Sequence, residues 1–239
     1  VLNGLSGDIR IPKKATAASS SWVTEGNAVS ESEMTVTNVQ MTPRHLGAFT
    51  DITRQLLQQS SLSVEALVRD DLAQAIALAI DLGALMGDGS AGQPTGINST
   101  AGINSVTFAA ANPDYAEVVA METQVANDNA LRGNLAYIMN TGMVGALKTT
   151  EKAASTAQFV VEPGGTVNGY QSIISNQLTT GDAFFGNFAD LLVGFWSGLD
   201  ILVDPYAGAT AGNVRIIAMQ TCDVAVRHAE SFCVGRDAV

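Results

Sequence analysis

The stretch GDGSAGQPTG, Gly87–Gly96, decides how this chain is read. Gly87, Gly89 and Gly92 satisfy G-x-G-x-x-G, the spacing that lets a backbone close around a dinucleotide pyrophosphate. In dinucleotide folds those glycines follow a strand and open a helix whose first amides hold the phosphates. Here they follow a helical pattern, and Pro94 stops another helix from starting at once. A phosphate loop is excluded too, because Gln93 and Pro94 stand where Lys and Ser/Thr are required. Gly87 is expected to close the preceding helix as a left-handed C′ glycine, with Gly89, Gly92, Pro94 and Gly96 shaping the turn behind it. No cofactor is predicted.

The helix ahead of that turn is SLSVEALVRDDLAQAIALAIDLGALMG. Ser61 or Ser63 is its expected N-cap, and Glu65 suits its first turn. Val68, Leu72, Ala75, Ile76, Ala79, Gly83 and Met86 recur at helical spacing. From Ala75 to Ile80 it is apolar nearly all round, which predicts burial on more than one side.

Upstream, DIRI reads as a strand before Pro12, followed by the spacer ATAASSS. WVTEGNAVSESEMTVTNVQ, from Trp22, has few core-sized residues and alternates near MTVTNV, so it predicts a projecting hairpin that wants a partner. LGAFTDITRQLLQQS predicts a strand entering a short amphipathic turn, with Pro43, Arg44 and His45 in a turn before it.

Downstream, NSTAGINSVTFAAA reads as a polar linker. A second helix follows, with Asn112 as N-cap, Pro113 at its first position, and Tyr115, Val118, Val119 and Val125 buried. LAYIMN is a buried strand and TGMVGALKTT a short helix. From GGTVNGYQ onward DAFFGNF, LLVGFW, LDILVDP, NVRIIAMQTCDVAVRH and SFCVGR read as strands between Gly-rich turns. The class is α+β with mostly antiparallel sheet, the long helix packing on the late strands.

The 239 residues can bury a sizeable core, and only 15% are charged against 46% hydrophobic, which fits surface that meets other subunits. A net charge of −11 with scattered cations excludes direct grip on nucleic acid or anionic lipid. No signal peptide or membrane span is legible, so a soluble chain is expected. Cys222 and Cys233 read as buried free thiols, with one disulfide as the alternative.

Chemistry is not signalled. His45 and His228 belong to no metal motif, and GFWSG and GDGSAG put Ser in the wrong place for a nucleophile elbow. Asp70 and Asp71, adjacent on a helix, point about 100° apart and cannot share a substrate. Trp22 and Trp196 suit core or interface anchoring better than ligand stacking. The chain is predicted to work through surfaces rather than as an enzyme, with no catalytic or metal residues.

WVTEG, MTPRHLGAFTDITRQLL, the helix running into GDGSAGQPTGI, YIMN, NGYQ, FFGNF and VRHAESF stand in an order that resembles the major capsid proteins of tailed bacteriophages with the Hong Kong 97-type shell fold. The resemblance covers nearly the whole chain. It implies an N-terminal arm over 1–21 and an extended loop over 22–43 that lies across a neighbouring subunit. A peripheral domain would take 44–105 and 199–228, and an axial domain 106–198 and 229–239. It further implies hexamers and pentamers closing into an icosahedral shell around DNA without specific binding, a virion protein assembled in the host cytoplasm. Scaffolding, protease, portal or decoration proteins would be its partners.

The family's scaffolding segment would precede Val1, so the resemblance suggests a processed or shortened chain. Thr24 to Gln40 contains no Lys, so the Lys–Asn isopeptide weld of some relatives is not predicted, and Asn213 has no evident partner for one. Trp22, Glu25, Glu33, Arg44 and Arg54 are the candidate intersubunit contacts. The rivals are a nanocompartment shell of the same fold and, in another class, a hydrolase or ligand-binding domain.

Overall fold

A computed structural model of the chain describes residues 1–59, 64–110, 112–153 and 155–237. In chain order the strands are β1 (Leu2–Asn3), β2 (Ile9–Thr16), β3 (Thr35–Met41) and β4 (Arg44–Thr53), then helices α1 (Arg54–Gln59) and α2 (Val64–Met86). There follow β5 (Asn104–Phe108), α3 (Tyr115–Asn127), β6 (Leu135–Met139) and α4 (Thr141–Leu147). The remainder is β7 (Val161–Glu162), β8 (Thr166–Val167), β9 (Tyr170–Ile174), β10 (Ala183–Asn187), β11 (Leu191–Phe195), β12 (Asp200–Asp204), β13 (Asn213–Val226) and β14 (Phe232–Asp237).

Cores on both faces build the larger sheet, ordered β5-β14-β10-β6-β9-β8-β7. On β10, Phe185 faces a core with Phe108, Val118, Met121, Val125 and Tyr137 under α3. Its neighbour Phe184 faces the opposite core, with Leu85, Ile97, Ile138, Phe232 and Val234, against the end of α2. Both faces are covered, so β10 is an unbroken buried run rather than an alternating one. Val118, Met121 and Val125, at i, i+3 and i+7, form the buried stripe of α3.

The smaller sheet is built on β13, which pairs antiparallel with β4, β11 and β12, while β1 adds parallel to β11. Leu72 and Ile76 of α2, one turn apart, pack on Ile52, Ile216 and Ala218. The long helix and the late strands thus belong together, as the patterning required. β2 and β3 form a separate two-stranded ribbon.

Several expectations are corrected. The α3 N-cap is Asp114, not Asn112: its N–H donates to Glu117 Oε2 at 2.8 Å, and the other Glu117 oxygen accepts from Ala109 N at 2.7 Å. The linker NSTAGINSVTF contains β5, a parallel edge strand on β14. Arg44 and His45 open β4, His45 Nδ1 lying 3.0 Å from Thr221 Oγ1. Pro12 sits inside β2, tolerated because a two-stranded ribbon is all edge. β11, within the 106–198 that the resemblance gives to an axial domain, ladders with β13. Ser61 and Ser63, expected caps of α2, lie outside the described residues.

Cys222 and Cys233 are free and buried. Burial pushes both thiols up, Cys233 to about 12, with the Asp223 carboxylate adding to the rise at Cys222. A thiol-specific disulfide reagent at mildly alkaline pH should therefore label neither in the folded chain and both in guanidinium. Labelling of either under native conditions would contradict this burial.

Candidate assembly surface

The glycine-rich turn is a clamp on the end of α2. Gly87 N–H donates to Gly83 O at 3.2 Å, the last helical bond, and Gly96 N–H returns to Gly87 O at 2.9 Å. Between them Gly89 N–H reaches Pro94 O at 3.2 Å, and Asp88 takes the Ser90 N–H and hydroxyl at 2.8 and 2.7 Å. Those bonds, the hydroxyl's first, hold the Asp88 carboxyl below its ordinary range. Gly87 does not adopt the left-handed conformation expected of it; Gly89 (φ +76) and Gly92 (φ +83) do. Gly87 is required for a different reason: a Cβ there would stand 2.3 Å from Pro94 O and 2.4 Å from Gly83 O. A Cβ on Gly96 would likewise meet Gly83 O at 2.7 Å. The amides of Gly87, Gly89 and Gly96 all bond within their own chain.

The turn is tied to the ribbon by one ion pair. Arg44 donates from Nη1 to Gln93 O at 2.6 Å, and its Nε lies 3.2 Å from Asp223 Oδ1. Asp223, buried towards the C-terminal end of β13, also accepts the Thr42 N–H at 2.8 Å. One carboxylate therefore joins the returning leg of the ribbon, the central strand and the clamp. The outgoing leg is fixed nearby. Leu5 N–H donates to Phe195 O at 3.2 Å and the Trp196 indole N–H to Gly7 O at 2.7 Å. A Cβ on Gly194 would press on the Leu5 and Met41 side-chain ends at 2.8 and 2.9 Å.

From this root the ribbon runs out into solvent. Thr16 and Thr35 hydroxyls pair at 2.6 Å, Ser19 N–H donates to Ser32 Oγ at 2.6 Å, and Asn27 closes the tip on Thr24. The ribbon is wider than the sequence suggested, because β2 supplies its second strand. Residues 9–16, expected in an N-terminal arm, belong to it, and they bring Lys13 and Lys14 with them.

The predicted contact residues separate into two groups. Trp22, Glu25 and Glu33 sit on the outer part of the ribbon, exposed, with the Trp22 ring wholly in solvent. Arg44 is engaged inside the chain, and Arg54 Nη2 donates to Pro205 O at 3.3 Å. Sequence reading missed Asp223, whose apolar surroundings gave no hint of a partner far upstream. It also missed two exposed apolar surfaces. Leu67, Leu78 and Leu82 open to solvent along α2, where Ala75, Ala77 and Leu78 were expected to be covered. The five-stranded sheet reaches only one stripe of that helix. Phe49, Leu202 and Met219 form the other patch, on the sheet face turned away from α2. At its edge Arg215 binds Asp51 with two bonds of 2.7 and 2.9 Å and lies over the Phe49 ring. The first of these bonds keeps the Asp51 carboxyl below its ordinary range.

A rooted ribbon and exposed apolar surfaces mark faces suited to contact with other chains. A family model described as the phage capsid family matches residues 1–237, and the chain belongs to that family. The major capsid protein of Halomonas phage phiHAP-1 is 33% identical over all 239 residues, and the chain spans 39% of its length. The capsid of the native GTA particle is similar in structure with a TM-score of 0.80 at 20% identity, covering 100% of this chain and 87% of that one. Structures from Mycobacterium phage Ogopogo (0.75, 19% identity, 97% and 87% covered) and Microbacterium phage Oxtober96 (0.80, 11%, 99% and 88%) share the fold.

Three substitutions test the local account. Gly87→Ala should lower stability by about 2 kcal/mol or more through overpacking, while Gly92→Ala, strained but open, costs about 1 kcal/mol. Equal losses in urea melts would contradict the clamp. Asp223→Ala leaves Arg44 without its counter-ion and the Thr42 amide without its acceptor, and should cost about 3 kcal/mol. A loss under about 1 kcal/mol would show that the junction is not what fixes the ribbon.

Proposed function

We propose that this chain is the major head subunit of a tailed phage or prophage, a structural protein rather than an enzyme. Copies pack into hexamers and pentamers that close into an icosahedral DNA container, assembled in the host cytoplasm. The observation that carries this reading is the ribbon of 9–41. It is rooted by buried groups yet its outer part has no core of its own, so the exposed Trp22, Val29 and Met34 are covered by another copy. Contacts of that kind are heterologous, and they close into rings and shells when the curvature is right. A subunit so embedded buries well over the roughly 1,600 Å² of a standard interface.

Within that shell α2 and the five-stranded sheet serve as the peripheral domain, and α3 with the seven-stranded sheet as the axial domain around capsomer centres. The acidic balance suits a wall that confines DNA without adhering to it. Scaffolding, protease, portal or decoration proteins would act on the same shell. Membership of the phage capsid family disfavours the nanocompartment alternative.

Light scattering with negative-stain microscopy on the full-length protein tests the reading. Closed megadalton particles or ring-shaped capsomers are expected. A persistent monomer across assembly conditions, with turnover on generic esters, would overturn it.

A further inference from the structure

One edge of the five-stranded sheet has no partner strand among the described residues. β4, ten residues long, pairs along its length with β13 and with no other strand. Arg54 N–H donates to Gly212 O at 2.9 Å, extending that register by one pair. Trp196 N–H, extending the β11 register, donates to Thr221 O at 3.0 Å. Bonded pairs alternate along an antiparallel ladder, so Arg44, Leu46, Ala48, Thr50 and Ile52 turn their backbone groups to β13. His45, Gly47, Phe49 and Asp51 turn theirs outward. These four residues are exposed, and their N–H and C=O groups have no partner among the described residues.

The opposite edge is guarded, and this one is not. β12 is five residues long with Asp200 and Asp204 at its ends, whereas Leu46 to Thr50 of β4 carry no charge. Gly47 is unexplained within one copy. Its backbone is not left-handed, and a Cβ there would lie 3.7 Å from its nearest neighbours. Phe49, on the same face, is 62% exposed.

We infer that two copies join β4 to β4 across a two-fold axis, Ala48 facing Ala48, so that two five-stranded sheets become one. Outward groups must meet outward groups, which restricts the pairing to registers that set odd positions against odd ones. With Ala48 on the axis, Gly47 stands opposite Phe49 and His45 opposite Asp51, each twice by symmetry. The Phe49 ring then covers a position with no side chain, and an imidazole faces a carboxylate. Centring on Gly47 would set glycine against glycine, and centring on Phe49 would set Gly47 against Asp51. The contact goes beyond the shell reading: it does not use the ribbon, and a pair of copies forms it without a closed particle.

Cysteine pairing on the full-length chain tests it. Gly47→Cys chains carrying a mass tag are co-assembled with Phe49→Cys chains and mildly oxidised. Opposed positions of a bonded antiparallel pair lie about 5.5 Å apart, within disulfide reach. The mixed dimer should exceed either same-variant dimer by roughly tenfold, because like positions sit two residues out of register. Same-variant dimers in equal or higher yield would overturn the contact. So would particles that form normally yet give no mixed dimer, a result that leaves the shell reading intact. A mixed dimer from chains that never form particles supports the contact and overturns the shell reading instead. If a cysteine variant misfolds, hydrogen exchange on the unchanged chain decides. The Gly47 and Phe49 amides, open in dispersed chains, should slow by roughly tenfold or more on assembly as they gain ladder bonds. Unchanged rates at both would overturn the contact.

Discussion

The ion pair between Arg44 and Asp223 is the constraint on which the rest of the structure depends. A carboxylate buried in a central strand is costly unless its lone pairs are met. Here its charge is countered by the guanidinium that opens β4, and one oxygen accepts the Thr42 N–H at the end of the ribbon. The same guanidinium reaches the carbonyl of Gln93 and so holds the glycine clamp against the sheet. One buried charge thereby fixes the exit angle of a ribbon that has no core to direct it. Buried pairs of this kind contribute more to the uniqueness of a geometry than to net stability, and a projecting element needs that uniqueness.

The parts of the fold that repeat with a period were legible in the sequence. α2, α3, β6, β10 and β13 follow from apolar spacing because each packs on a continuous surface. What escaped was set by contacts distant in sequence. Asp223 gains its meaning from Arg44, on the far side of the chain. β5 is polar at alternate positions and pairs only at one edge, so its residues carry a linker's composition. Gly87 was expected to adopt a left-handed turn, whereas its constraint is the nearness of two carbonyls, which no local pattern encodes. The glycine motif was separable from a phosphate site because the element before it was helical.

The candidate surface was half legible. Trp22, Glu25 and Glu33 stood out because a hydrophobic ring amid polar, alternating sequence has no core to enter. The ribbon's other strand was hidden by Pro12, which reads as a strand stop yet is tolerated where both edges are free. The leucines of α2 looked like core because an all-round apolar helix normally is one. In one copy they are open.

The central claim is that the outer ribbon, residues 17–34, is unsatisfied in a single copy and becomes ordered against another. Hydrogen exchange on dispersed and assembled protein tests it most directly. Amides of 17–34 should exchange near the unprotected rate in dispersed chains and become strongly protected in particles, while β13 stays protected in both. Equal protection of 17–34 in the two states would contradict the account.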